Sequence, residues 1–290
     1  MAFLDRFNIV RYNGVRYDNY PSSISEIAGH LDKECIEDAA NYSLHTEYSY
    51  GKRKFDSILI SYFPALCSAN KDGVPQLWYS NEWAKEFAEF IIELTKNHES
   101  PTVIEIHPPF NDYCDMESFF IRYSIFEQLI HKTYPNAEIV IENRSGSVYR
   151  GGKFILGKAK DIASFCDRIL TENILLGLVL DFPQLLTAEN INTIKFDSDK
   201  YSKIIETIAP YRNLIKGIHI WGKKKSNSAR WVAHCGDLNT YFDNDTESKQ
   251  EFIHGIKTIC NDSTIRYLVP EVNSGVNDIL SVLNDLNAIL

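Results

Sequence analysis

Six short apolar runs each end in a side chain able to bind metal. They are Val103-Ile-Glu-Ile-His107, Glu138-Ile-Val-Ile-Glu142, Leu176-Gly-Leu-Val-Leu-Asp181, Gly217-Ile-His219, Trp231-Val-Ala-His234 and Tyr267-Leu-Val-Pro-Glu271. Near-continuous apolar runs without alternation fit strands that are covered on both faces. Most of the runs are separated by helical patterns, so together they predict a ring of parallel strands, a (β/α)8 barrel of the TIM type. Its C-terminal mouth would gather all six polar ends, and that is where such barrels carry their chemistry.

A length of 290 residues suits one large α/β barrel or two small domains. With no linker in the sequence, a single TIM-barrel domain over residues 1–290 is expected. Apolar residues make up 44% of the chain, too many for a disordered protein. No apolar run has the length of a membrane span, and the start, Met1-Ala-Phe-Leu-Asp-Arg6, lacks the long apolar stretch of a signal peptide. The six cysteines are scattered without CxxC spacing, which suits reduced thiols in a cytoplasmic protein. Cys235, beside His234, reads as a small packed residue or a soft ligand.

The net charge of −9 argues against binding nucleic acid through the whole surface. It leaves room for one local patch. Lys223, Lys224 and Lys225, followed by Arg230, form the dense basic cluster, either a solvated loop or a phosphate-binding one.

Along the chain, Phe7–Val10 reads as the first strand and Ser22–Asn41 as a helix, with Ile24, Ile27, Leu31, Cys35 and Ala39 at helical spacing. Asp56–Tyr62 reads as the second strand. Asn81 is placed to cap a helix, and further helices are expected over Asp115–Tyr134, through Ala159–Ile169, over Asp197–Leu214, Thr246–Cys260 and Val276–Leu290. A short seventh strand is expected near His234.

Glu142, Asp181, His219 and Glu271 form the core of the expected site. Carboxylates with an imidazole suit one Zn²⁺, Mn²⁺, Mg²⁺ or Fe²⁺. His107 is a fifth ligand candidate, and with Glu142 bridging it would make a two-metal site. His234 and Asp237 are candidates for metal or substrate. His30, His45, His98, His131 and His254 receive no role.

With these residues in place, the chain resembles the xylose isomerase-like barrel superfamily, and within it the endonuclease IV branch (AP endonuclease family 2). The resemblance runs from about residue 103 to 275. His107-Pro108 resembles that branch's strand-three His-Pro, and Glu142-Asn143-Arg-Ser-Gly146 its Glu-Asn-Thr-Ala-Gly run. Asp181, His219, the basic serine-rich loop, His234 and Glu271 follow in the order of its later strands. Three positions depart. Ser61-Tyr62 stand where a strand-two His is expected, Gln184 replaces the His of an Asp-x-x-His, and Val232 replaces the Asp of an Asp-x-His. Gln184 remains a candidate for metal or substrate contact, but a trinuclear centre is not expected.

The resemblance implies hydrolysis of a phosphodiester, with DNA as the partner. Glu142 would bridge metals, and Arg144, Lys223, Lys224, Lys225 and Arg230 would hold phosphate oxygens. A sugar isomerase or epimerase stays open: one metal would suffice, a small sugar or phosphorylated compound would be the substrate, and Glu142 and Glu271 would exchange a carbon-bound proton. An inactive barrel serving as a binding module is the third reading.

Overall fold

The computed structural model describes residues 3–17, 19–33, 36, 40–70, 72–149 and 152–288. In chain order the elements are β1 (Phe7–Arg11), β2 (Ile24–Gly29), β3 (Tyr42–Thr46), α1 (Ser57–Tyr62), α2 (Asn81–Thr95), β4 (Val103–Ile106), α3 (Met116–Thr133) and β5 (Glu138–Glu142). There follow α4 (Ala159–Glu172), β6 (Gly177–Asp181), α5 (Phe182–Ala188), α6 (Ser198–Ile208), β7 (Ile215–Ile220), β8 (Lys223–Lys225) and β9 (Trp231–Ala233). The chain continues through α7 (Leu238–Tyr241), α8 (Thr246–Ile259), β10 (Arg266–Pro270) and α9 (Val276–Asn287).

Eight parallel strands close into a barrel in the order β1-β10-β7-β6-β5-β4-β3-β2. This is the expected α/β barrel. Side chains alternate across each strand. Ile104, Ile139, Ile141, Leu178, Leu180, Ile218 and Leu268 face outward and join the helices in one large core. The inward positions form a separate cluster of Val10, Ile24, Val103, Val140, Val179 and Val269, one from each of six strands. Gly217 leaves room for that layer, since a Cβ there would come within 2.8 Å of Val179 Cγ2. Two residues further along each strand, the inward side chain becomes polar.

Aspartates and a serine start the helices by accepting backbone N–H groups, as at Ser80 for α2, Asp115 for α3, Asp197 for α6 and Asp245 for α8. Ser80, one residue before the expected Asn81, is thus the cap of α2.

The first third differs from the sequence expectation. Ile24–Gly29 is barrel strand β2, not part of a helix over Ser22–Asn41; Cys35 and Ala39 of that expectation lie outside the described residues. Asp56–Tyr62 is not a strand. Asp56 accepts the Ile58 N–H at 2.7 Å and starts helix α1, of which only Leu59 is buried. The second and third barrel strands are therefore β2 and β3, and Ser61 stands on a helix away from the barrel wall.

The expected seventh strand also lies elsewhere. β9 pairs antiparallel with β8 in a two-stranded hairpin outside the barrel, and β10 pairs directly with β7. The five described cysteines, Cys67, Cys114, Cys166, Cys235 and Cys260, are free thiols. Among the described residues no helix is long and apolar enough to cross a membrane.

Candidate metal centre

Above the valine layer, the inward positions carry Glu26 on β2, His45 on β3, Glu105 on β4, Glu142 on β5, Asp181 on β6, His219 on β7 and Glu271 just after β10. His107 follows β4 on the same inward face as Glu105. Two groups of ligand atoms result, each within 4.8 Å of one another: His45, Glu105, His107 and Glu142, and Glu26, His219 and Glu271.

His219 joins the groups. Its Nε2 lies 3.1 Å from Glu105 Oε2, and its Nδ1 lies 3.2 Å from Glu271 Oε1 and 3.7 Å from Glu142 Oε1. His45 Nδ1 stands 3.5 Å from Glu26 Oε1 and 3.6 Å from Glu105 Oε1. His45 and His107 have ring centroids 4.8 Å apart. A histidine from an early strand, His45 on β3, thus faces the same layer.

His107 is oriented from behind. Its Nδ1 donates to the Glu47 carbonyl at 3.1 Å, which leaves the Nε2 lone pair 2.9 Å from Glu142 Oε2. Burial lowers the His107 pKa to about 4, against the opposing pull of Glu142. A neutral ring then faces a carboxylate oxygen, a contact that a cation between them relieves.

Burial alone would lower His45, but the Glu105 and Glu26 carboxylates raise it to about 10. His219 behaves alike: Glu105 and Glu271 overcome its burial and push it well above the usual imidazole value. Burial pulls Glu142 upward, yet Arg144 and His107 hold it well below the ordinary carboxylate range. Glu271 falls to about 2, where His219 and His234 outweigh burial.

These side chains fit a divalent metal. Glu26 Oε2, His45 Nδ1, Glu105 Oε1 and His219 Nδ1 are buried without a hydrogen-bond partner, and unpaired buried polar atoms are costly. Five carboxylates (Glu26, Glu105, Glu142, Asp181 and Glu271) share this layer, and the permanently charged Arg144 is paired with only one of them, Glu142. Mixed imidazole and carboxylate donors suit Zn²⁺, Mn²⁺ or Fe²⁺.

The residues named from the sequence are distributed as follows. His107 and Glu142 lie in the first group, His219 and Glu271 in the second. Asp181 is in neither. Its Oδ1 accepts the Gln184 N–H and caps α5, while its Oδ2 accepts Gln184 Nε2 and Trp221 Nε1 at 2.9 and 2.8 Å. Burial, then Glu142 and Glu271, push its pKa well up. Asp237 caps α7, its oxygens taken by Thr240 N, Asn239 and Ser281.

His234 has a positive φ of 54° and stacks on Trp221 at 4.4 Å between centroids. Its Nδ1 donates to the Glu271 carbonyl at 3.1 Å. Arg144 Nη1 donates to Glu142 Oε2 at 2.8 Å. Lys223 and Lys225 lie over the Trp231 ring, and Lys224 pairs with Asp278 at 3.5 Å. Arg230 is exposed near the hairpin turn.

Glu26, His45 and Glu105 have no place in the sequence reading. Counting back by two from His107 puts Glu105 on the same face, and that alternation was the available signal.

A cavity of about 600 Å³ opens over the second group, lined by Glu26, His45, Glu271, His234, Arg144 and Trp221, with Tyr12, Tyr48, Asn13 and Asn273 at its sides. The basic lysines are not in its wall; Ala233, at the end of their hairpin, is.

No protein-family model matches the chain, and no curated protein matches it. Solved structures similar to it include that of AsfvAP:AG, at 11% identity and a TM-score of 0.48, covering 86% of this chain and 83% of that one. They include an AP endonuclease, family 2, from Brucella melitensis (9% identity, TM-score 0.44, 86% and 89% covered). A xylose isomerase domain protein from Planctomyces limnophilus is also similar (11%, 0.42, 96% and 94%). The eight-stranded barrel rests on the strand pairing of this chain itself.

Proposed function

We propose that the chain is a divalent-metal-dependent hydrolase of phosphodiesters, with its chemistry at the C-terminal mouth of one barrel domain. One observation carries this reading: two ligand groups lie side by side and share His219 as a link. His45, Glu105, His107 and Glu142 would hold one ion, and Glu26, His219 and Glu271 the other. Bound there, divalent metal supplies charge stabilisation for a phosphoryl oxygen and an activated water.

The chain's own residues supply the rest. Arg144 stays tied to Glu142 through Nη1, while its buried Nε has no protein partner and the residue lines the cavity. That guanidinium can hold a phosphoryl oxygen. His234 gives Nδ1–H to the Glu271 carbonyl, so Nε2 is free to take or give a proton. Lys225 and Arg230, on the hairpin that leads to the cavity, would meet the phosphates of a longer substrate such as a DNA strand.

A sugar isomerase or epimerase is the second reading, favoured by Asn13, Asn273 and Ser145 beside Tyr12 and Trp221 in the cavity wall. These amides, hydroxyls and rings suit a polyhydroxylated substrate. The two readings part in one pair of assays with added Mn²⁺ or Zn²⁺. The first expects cleavage of abasic-site DNA or of a small aryl phosphodiester, lost in Glu142→Gln. Exchange of solvent deuterium into a ketose, without diester cleavage, would establish the second instead.

A further inference from the structure

Glu142 and Asp181 stand side by side at the ends of β5 and β6, and a single nitrogen lies between them. Gln184 Nε2 donates to Glu142 Oε1 and to Asp181 Oδ2, at 2.9 Å each. The orientation of the amide is fixed independently, because Gln184 Oε1 accepts the Ser145 N–H at 2.9 Å. The nitrogen must therefore be the end at the carboxylates. Helix geometry puts it there: Asp181 is the N-cap of α5 and Gln184 is the third helical residue, whose side chain turns back toward the cap. All of its polar atoms are engaged, and it is buried.

This pair of carboxylates thus differs from its neighbours. Asp181 is met on both oxygens by N–H donors, from the Gln184 backbone, the Gln184 amide and Trp221. The two ligand groups beside it keep buried atoms without partners. We infer that Gln184 is a built-in substitute for a cation: its two N–H bonds hold Glu142 and Asp181 together and keep a further ion out of that position. It is a positioning residue for Glu142, leaving Oε2 for His107, and it sets how many ions the mouth takes. The inference rests on the metal reading above.

The test is metal stoichiometry, with Mn²⁺ or Zn²⁺ alone as the probe. Gln184→Glu keeps the shape but removes both N–H donors and adds a third carboxylate. It should bind one more equivalent per chain than the wild type by equilibrium dialysis and elemental analysis. Its Tm should also fall further on chelation. The double variant Gln184→Glu, Asp181→Asn should lose the extra equivalent. If Gln184→Glu folds only with metal present, that dependence is itself the expected gain. If it folds in neither buffer, Gln184→His, which adds no charge, decides by the same count. An unchanged count in the variant that folds, or an extra ion kept without Asp181, overturns the inference. The wild-type count tests the metal reading separately: a wild type without metal defeats that reading, while the difference between variant and wild type still judges this one.

Discussion

Two layers of the barrel interior, only two residues apart along the same strands, are built on opposite principles. The lower layer, Val10, Ile24, Val103, Val140, Val179 and Val269, is complete in itself. Its branched side chains fill the space by contact and leave no polar atom to satisfy. The upper layer, Glu26, His45, Glu105, Glu142, Asp181, His219 and Glu271, has carboxylates in excess and buried atoms without partners. Packing alone explains the first layer and not the second. Only a ligand or bound protons can balance the ionic layer.

The largest way to sharpen that contrast is to put a charge in the wrong layer. Val140→Asp should leave no folded protein, because an unpaired carboxylate among valines costs more than about 4 kcal/mol. Circular dichroism and solubility read this directly. A soluble variant with native Tm would show that the lower layer already admits water or ions.

Metal should act on the upper layer alone. Mn²⁺ or Zn²⁺ at about a hundredfold over its Kd should stabilise the wild type by roughly 2.7 kcal/mol for each ion bound. Val140→Ala should lose about 2 kcal/mol with or without metal, since it removes only buried methyl groups. Denaturant titrations of both proteins in metal and in chelator would reveal any coupling between the layers.

Glu105→Gln should do the reverse. Without metal its stability should stay within about 1 kcal/mol of the wild type, since it removes one of several crowded buried carboxylates. The stabilisation by metal should shrink sharply. A variant as responsive to metal as the wild type would remove Glu105 from the ligand set.

The smallest effect lies outside both layers. Asp262 is held below its ordinary pKa by its hydrogen bonds and charge contact with Arg266. Its contribution is full above the unfolded carboxylate value of about 3.9 and is lost as pH falls through the lowered folded value. Asp262→Asn should flatten that acid limb slightly without changing the response to metal.

How much of this was legible in the sequence follows from the same layering. β5, β6, β7 and β10 are covered on both faces, so they read as apolar runs closed by Glu142, Asp181, His219 and Glu271. β2 and β3 do not. Ile24-Ser-Glu-Ile-Ala-Gly29 mixes polar and apolar residues with a spacing that suits a helix equally well. Tyr42-Ser-Leu-His-Thr46 gives only five residues of alternation. The run Ile58-Leu-Ile60 looked more like a strand than either, yet Ile58 and Ile60 are exposed on α1. The role of Asp181 was not legible, because which donors meet a carboxylate depends on Gln184 and Trp221 across a loop. The position of His234 was half legible: the residue does line the cavity, but from a hairpin outside the barrel.

If the ionic layer is a metal centre, it must keep its ions when excess metal is removed. Elemental analysis of wild-type protein, equilibrated with Zn²⁺ or Mn²⁺ and then freed of excess ion, tests it most directly. Retention of two ions per chain is expected, with a fall in Tm on chelation and loss of at least one ion in Glu142→Gln. A wild type that retains none, with the same Tm in metal and in chelator, would contradict it.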